Sequence, residues 1–245
     1  MTLAHPSVTC EAADLEGARR DLLLHTAGPP YIIVARDRNA TPGGRTTGAI
    51  ACETLDEAVD LARRLSQRGG DVYVVRNPVV DGRLYHRHHV PGCRHSGCRC
   101  PRVPVPPGNV ANPPSLLDIA AISRMPIDID PKGAEHESAR AHARSLIDSL
   151  RSHVEIEYTL DSGRGLQGCV HIQPAAERAD VVRWTEARAL AKRIERWLAA
   201  HADGSLVTID SVSNPNRFSR LAGFVNTKTG RVARMIQEGG GVAGQ

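Results

Sequence analysis

The spacing of hydrophobic and polar positions predicts a protein of mixed helices and strands. Apolar residues that recur every three or four positions predict amphipathic helices, over residues 11–27, 54–68, 115–123, 135–151 and 184–201. Short apolar runs between them predict strands, over residues 31–35, 71–75, 125–130, 154–160, 168–172 and 206–210. Thr54 and Glu57 have the spacing of a capping box at a helix start. Residues 40–48 are predicted to form a loop rich in Gly and Thr.

The pattern divides the chain into three parts and a tail. Residues 1–80 contain a strand, a helix and a strand in succession, which is the order of an α/β unit, and residues 115–238 carry the remaining elements. Residues 81–114 are rich in His, Cys, Arg and Pro and lack periodicity, which indicates an insertion held by something other than an apolar core. Residues 239–245 begin with three glycines and are expected to form a flexible tail.

Composition excludes some classes of function. The 245 residues are 41% hydrophobic and 24% charged, as in ordinary globular proteins, and no apolar run approaches the roughly 20 residues of a membrane span. The N-terminus lacks a secretory signal, so we expect a cytoplasmic protein with no membrane partner. The net charge of +4 permits nucleic-acid binding. Only three of the 31 Lys and Arg residues are lysines, which fits either codon bias or phosphate recognition by guanidinium groups.

Asp128 and Asp130 alternate with isoleucines in a predicted strand that ends at Pro131. Residues i and i+2 of a strand point to the same face, and Pro131 favours an extended conformation at Asp130. Two carboxylates about 6–7 Å apart can share Mg²⁺ or Mn²⁺ ions, which can activate a 3′-hydroxyl and steady a triphosphate. Asp-x-Asp also occurs in glycosyltransferases, phosphatases and plain turns, so the pair alone leaves these alternatives open.

Two further motifs follow along the chain. The turn of residues 161–167 contains two glycines whose backbone N–H groups could converge on an anion, while Ser162 and Arg164 add donors; an ordinary hairpin turn is the alternative. Asp210 ends a predicted strand and could be a third metal carboxylate. Residues 214–230 then form a basic run without acidic neighbours, which suits phosphates of a nucleotide or a nucleic-acid backbone, or else is a solvated loop.

In this order, the motifs resemble those of the archaeo-eukaryotic primase superfamily, and most of all its primase-polymerase branch on plasmids, phages and other mobile elements. The motifs are an Asp-x-Asp strand, a Ser-Gly-x-Gly turn, and a lone Asp leading into Arg-x-x-Arg-x-x-Gly-x-x-Asn-x-Lys, within residues 70–232. The glycosyltransferase and phosphatase alternatives do not predict the third motif. The resemblance implies an α/β (α+β) fold in which an N-terminal αβ unit packs on an RRM-like sheet unit.

The resemblance also implies roles for individual residues. The catalytic residues, which would bind two Mg²⁺ or Mn²⁺ ions, are Asp128, Asp130 and Asp210. The nucleotide-binding residues are Ser162, Gly163, Arg164, Gly165, Gln167, His171, Arg217, Arg220, Asn226 and Lys228. The chain departs from the family at Gln167, where a histidine is usual: Gln can donate a hydrogen bond but carries no charge. His171, on the same predicted face, could compensate. A second departure is Ala222-Gly223-Phe224, where the family has Pro-Gly-Thr.

The insertion carries a separate metal motif. Structural zinc needs four nitrogen or sulfur ligands at short spacings. Four of five residues are the candidates: His89, Cys93, His95, Cys98 and Cys100. Zinc-stabilised insertions of this kind occur in some primases; the alternative is a flexible, oxidisable basic loop.

These inferences predict a DNA-directed nucleotidyltransferase. It would make or extend primers on single-stranded DNA from NTPs or dNTPs by two-metal catalysis, in the replication of a plasmid, phage or other mobile element, with a replicative helicase as a further partner. One alternative is a replication-initiation or nucleic-acid-binding module that keeps the fold with little catalysis. Another is a metal-dependent phosphodiesterase or glycosyltransferase.

Overall fold

The computed structural model describes residues 14–36, 46–87, 102–133, 137–210 and 214–238. Its helices are α1 (Leu15–His25), α2 (Leu55–Gln67), α3 (Glu137–Arg151) and α4 (Val181–His201). Its strands are β1 (Tyr31–Arg36), β2 (Thr46–Cys52), β3 (Asp71–Val75), β4 (Leu84–Arg87), β5 (Arg102–Val105), β6 (Val110–Ala111), β7 (Ala121–Pro131), β8 (Ile156–Asp161), β9 (Leu166–Glu177), β10 (Val207–Ile209), β11 (Phe218–Arg220), β12 (Val225–Asn226), β13 (Arg231–Val232) and β14 (Arg234–Glu238). None of the described helices is long and apolar enough to span a membrane.

The first sheet has the order β11-β3-β1-β2-β6, and every neighbouring pair in it is antiparallel. The prediction of a loop over residues 40–48 was wrong at its end, because β2 begins at Thr46. The crossover therefore joins β2 through α2 to β3, with β1 lying between the two strands. This explains why β1 and β3, predicted as successive strands of an α/β unit, are antiparallel neighbours of an α+β sheet.

Helices α1 and α2 cover one face of the first sheet through Leu22, Ala58 and Val59. The capping box predicted for α2 is present, because the Glu57 N–H donates to the Thr54 side chain and the Glu57 carboxylate accepts from the Thr54 N–H. The helix predicted over residues 11–27 starts later, at Leu15.

Part of the stretch 81–114 has a core, contrary to the prediction of an insertion without one. Strands β4 and β5 pair in a hairpin, and β6 joins the edge of the first sheet. Leu84 and Val105 are buried against the second face of that sheet. Residues 88–101, between the paired ends of the hairpin, lie outside the described residues, as does the tail 239–245.

The second sheet has the order β10-β7-β9-β8-β14, and α3 and α4 pack on one face of it. Strand β7 is longer than the predicted strand 125–130, and β9 is longer than the predicted strand 168–172. The helix predicted over 115–123 is only a 3₁₀ turn, Leu116–Asp118, because the chain from Ala121 onward pairs with the far end of β9.

Arg76, which follows β3, joins the two sheets at their interface. Its guanidinium is fully buried and donates to both carboxylate oxygens of Asp21 in α1, at 2.6 and 3.1 Å. It also donates to the Ser219 hydroxyl in β11 and lies 5.1 Å from the centre of the Tyr158 ring in β8. These contacts hold β11 against the face of the second sheet opposite α3 and α4.

Candidate active site

An open cleft with a cavity volume of about 160 Å³ lies between the two sheets. Its lining is mostly polar. Ten of the lining residues were predicted from the sequence, namely Asp128, Asp130, Ser162, Arg164, Gln167, Asp210, Arg217, Arg220, Asn226 and Lys228, and three were not, namely Arg36, Tyr73 and Phe218. The cleft thus collects residues from all three sequence motifs.

The three predicted carboxylates line this cleft from adjacent strands. Asp128 and Asp130 lie two residues apart on β7, and Asp210 directly follows β10. Strand β10 pairs with β7, so that Thr208 lies opposite Asp130 and the Asp210 N–H donates to the Asp128 carbonyl at 3.0 Å. Strand pairing, which the sequence does not display, accounts for the approach of Asp210 to the other two.

Burial and neighbouring charges perturb the ionisation of Asp128 and Asp130. Burial, together with the charges of Asp130 and Asp210, raises the pKa of Asp128 to about 7. Burial also raises the pKa of Asp130, against the opposing effect of the Arg164 guanidinium, whose Nε lies 3.6 Å from an Asp130 oxygen. The acidic side chains share the cleft, yet among the residues that the structure describes no three His, Cys, Asp or Glu side chains converge as a ready metal site.

The backbone N–H groups of both glycines in the glycine-rich turn form hydrogen bonds within the turn itself. The Gly165 N–H donates to the Ser162 hydroxyl at 2.9 Å, and the Gly163 N–H donates to the Asp161 carboxylate at 2.9 Å. The Ser162 side chain is buried. Gly165 lies so close to β7 that a Cβ there would be 2.5 Å from the Ile129 carbonyl oxygen. The donors expected to converge on an anion are thus used to shape the turn, and Arg164 is the side chain that it presents to the cleft.

Two residues of the third motif are likewise held within the protein. Arg220 is buried and donates to Asp71 Oδ1 and to the Tyr73 hydroxyl, each at 3.0 Å. Asn226 is buried and donates from its amide to the Ser162 carbonyl at 2.9 Å. By contrast, Arg217 and Lys228 are exposed at the cleft.

Gln167 and His171 are placed differently, although both lie on β9. Gln167 lies opposite Asp128 of β7, lines the cleft, and accepts a hydrogen bond from the Arg220 N–H at 3.0 Å. His171 is paired with Arg124 farther along β9, is not a lining residue of the cleft, and has its ring against the Gln173 amide. The structure therefore does not bring His171 to the place where it could compensate for the missing family histidine.

Sequence reasoning missed three residues that line the cleft: Arg36, Tyr73 and Phe218. The rings of Tyr73 and Phe218 meet edge to face with centroids 5.2 Å apart, and the Arg36 guanidinium lies 5.9 Å from the centre of the Tyr73 ring. They come together because β1, β3 and β11 are neighbours in the first sheet. No local signal marks Arg36 or Tyr73, whereas Phe218 lies within the third motif. The five candidate zinc ligands lie outside the described residues.

Comparisons with known proteins bear on the fold. No family model matches the chain, and no curated protein matches it. Among solved structures, the AEP (archaeo-eukaryotic primase) domain of the cyanophage S-2L primase-polymerase is 15% identical, with 93% of this chain and 91% of that chain covered and a TM-score of 0.50. The polymerase domain of Mycobacterium tuberculosis ligase D, in complex with DNA, is 17% identical, with 97% of this chain and 86% of that chain covered and a TM-score of 0.48. The first likeness shows a shared fold and confirms the predicted AEP fold.

Proposed function

We propose that this chain is a DNA-directed nucleotidyltransferase of the primase-polymerase kind. The observation that carries the proposal is one cleft in which three carboxylates of the second sheet face the cationic side chains of Arg164, Arg217 and Lys228. Carboxylates that can hold divalent cations and nearby cations that can bind phosphates are the two requirements of phosphoryl transfer from a nucleoside triphosphate. The AEP fold supports the same reaction class.

The chemistry of the acidic residues fits Mg²⁺ or Mn²⁺. Carboxylate oxygens are the ligands that these cations take in proteins. A dication would offset the burial and the neighbouring negative charges that raise the pKa of Asp128. Asp128, Asp130 and Asp210 would hold two ions, which would supply activation of the primer 3′-hydroxyl and neutralise charge on the triphosphate. The side chains would have to draw closer than they lie in this structure.

The cationic residues of the cleft would bind and orient the phosphates of the nucleotide. Arg164, now paired with Asp130, lies where it could bind a phosphate instead, and Arg217 and Lys228 add two exposed cations. Charge-assisted hydrogen bonds to phosphate oxygens are among the strongest polar contacts. We propose single-stranded DNA as template and NTPs or dNTPs as substrates, in replication of a plasmid, phage or other mobile element, with a replicative helicase as a further partner.

Nucleotide incorporation tests this proposal. The protein is incubated with primed and unprimed single-stranded DNA, labelled NTPs or dNTPs, and Mg²⁺ or Mn²⁺. We expect metal-dependent incorporation by the wild type and by Asp60→Ala, an exposed site on α2, and none by Asp128→Ala or Asp130→Ala in folded preparations. Incorporation by Asp128→Ala at the wild-type rate would show that the assignment is wrong.

A non-catalytic DNA-binding module with the same fold is the second candidate. It is favoured by the absence of a converged metal cluster among the described residues and by the internal use of Arg220 and Ser162. This candidate predicts DNA binding that weakens steeply with salt and no incorporation of any nucleotide with either metal. The same assay therefore decides between the two.

Zinc in the insertion remains a separate proposal. The register of β4 and β5 pairs Arg87 with Arg102, so both ends of segment 88–101 start from adjacent strand positions. Four ligands would come from His89, Cys93, His95, Cys98 and Cys100. Elemental analysis of protein purified without chelator should give about one zinc per chain, and less than about 0.3 would contradict the proposal.

A further inference from the structure

Gln167 has a place in the fold that its sequence motif does not explain. It stands at the start of β9, the strand of the second sheet that pairs with both β7 and β8. Its direct cross-strand neighbour on β7 is Asp128, and residues in such a position have Cβ atoms about 5 Å apart. Its side chain is half-buried in the cleft wall rather than projecting from a loop toward solvent.

The two ends of the Gln167 amide are held by different sheets. Its Oε1 accepts from the N–H of Arg220, on β11 of the first sheet, at 3.0 Å. The amide nitrogen is thereby left for the cross-strand neighbour, Asp128. Burial raises the pKa of Asp128, and a hydrogen bond from the Gln167 side chain opposes that rise. In a flipped amide, the Gln167 NH₂ group would face the Arg220 N–H, and the Gln167 oxygen would face the Asp128 carboxylate. Neither pair could form a hydrogen bond, so the observed orientation is the one that satisfies both partners.

The partner of Gln167 on the first sheet is itself fixed. The Arg220 guanidinium is bound to Asp71 and Tyr73, and its carbonyl accepts from the buried Arg76. The amide therefore ties the Asp128 carboxylate to a rigid part of the opposite sheet. A neutral donor does this without cancelling the charge of the carboxylate, whereas a cation at this position would compete with a metal ion.

We propose that Gln167 is a positioning residue, which orients the Asp128 carboxylate by bridging it to the backbone of Arg220, and that it does not bind the nucleotide. The inference rests on the proposed function of the cleft. It assigns to Gln167 a role distinct from the triphosphate contact that the motif resemblance implies. Residues that orient a metal ligand through a hydrogen bond typically change metal affinity about 10–100-fold when removed.

The test measures Mn²⁺ binding to the free protein, by titration with no nucleotide present, alongside steady-state incorporation. Gln167→Met keeps the length of the side chain and removes both hydrogen bonds. We expect Mn²⁺ affinity to fall about tenfold or more, and kcat to fall with nucleotide KM changed less than twofold. Gln67→Met, an exposed glutamine on α2, is the matched control and should leave both unchanged.

A second variant keeps the test meaningful if Gln167→Met does not fold. A neutral imidazole also has one acceptor and one donor, so Gln167→His, assayed at a pH where the ring is neutral, should retain most of the Mn²⁺ affinity. Unchanged Mn²⁺ affinity in Gln167→Met with a raised nucleotide KM would overturn the inference in favour of direct nucleotide contact. Failure of the wild type to bind Mn²⁺ and to incorporate nucleotides would instead overturn the proposed function, and the inference with it.

Discussion

Replacing Asp128 by Asn should stabilise the metal-free protein while it abolishes incorporation. Burial and the charges of Asp130 and Asp210 raise the pKa of Asp128 from 3.8 to about 7, so the folded protein holds a proton at this site more tightly than the unfolded chain does. The protein is therefore most stable with respect to this site below the unfolded-state pKa, where Asp128 is protonated. The free energy of unfolding falls between about pH 4 and pH 7 and is lowest above pH 7, where the carboxylate is charged. Asn removes the charge and the decline with it.

The magnitude follows from the size of the pKa change. A rise of roughly three pH units corresponds to about 4 kcal/mol as an upper limit. The carboxylate is only half-buried and keeps part of its hydration, which reduces the expected gain to about 1–3 kcal/mol. In a chain of this size, that gain raises the unfolding temperature by about 3–10 °C. Asn can still accept the hydrogen bond from Gln167, so the gain is not offset there.

Thermal unfolding in the presence of a chelator measures the effect at about pH 5 and about pH 8. The unfolding temperature of Asp128→Asn should exceed that of the wild type at the higher pH, and the difference should shrink at the lower pH. Millimolar Mn²⁺ should then raise the unfolding temperature of the wild type, by mass action on the folded state, and raise that of the variant less. A variant that is no more stable than the wild type at the higher pH would refute the view that burial and the neighbouring carboxylates disfavour the charged form of Asp128.

Three other changes test the interface, a buried ion pair and the turn. Asp21→Asn should lower the free energy of unfolding by about 3–5 kcal/mol in a urea titration, because Arg76 would keep a fully buried charge. Glu157→Gln should lower the free energy of unfolding by about 1–3 kcal/mol at neutral pH. Burial raises the pKa of Glu157, but hydrogen bonds from neighbouring basic side chains outweigh it and lower the pKa to about 2. The stability that the Glu157 carboxylate contributes is therefore present above about pH 4.5 and is lost as the pH falls toward 2. Gly165→Ala should reduce incorporation about tenfold to a hundredfold, since its Cβ would lie 2.6 Å from an oxygen of Asp130.

Each change has a matched control on the surface. Asp60→Asn breaks an exposed ion pair and should change the free energy of unfolding by less than about 1 kcal/mol. Glu155→Gln removes an exposed carboxylate two residues from Glu157 and should leave the acid limb of the stability profile unchanged. Gly204→Ala has open space around its Cβ and should not affect incorporation. Equal effects in a variant and its control would count against the corresponding contact.

The sequence predicts those parts of the fold whose information is local. The capping box of Thr54 and Glu57 and the apolar stripe of α2 are complete within fourteen residues, and both are observed. The alternation of Asp128 and Asp130 with isoleucines is equally local, because the isoleucines pack into the core while the acids face the cleft. In such segments the preference of each residue and the demands of packing agree.

The parts that were not predicted depend on contacts distant in sequence. Strands β6, β12 and β13 have two residues each, too few for any periodicity, and their hydrogen bonds come from strand partners that only the fold supplies. The register of β1, β3 and β11 also brings Arg36 and Tyr73 to the cleft. Nothing near either residue in the sequence indicates that it would face a predicted metal site.

Arg217 and Arg220 show why residue type alone does not assign a role at this site. Both are arginines of one motif, three positions apart, and both line the cleft. Arg220 lies within β11, where the pairing with Tyr73 directs it to the buried carboxylate of Asp71. Although burial alone would raise it, Arg220 keeps the pKa of Asp71 low, and each charge makes burial of the other possible. Arg217 precedes the strand and is exposed. Substitution of Arg220 should therefore first destabilise the fold, whereas substitution of Arg217 should first weaken binding of phosphates.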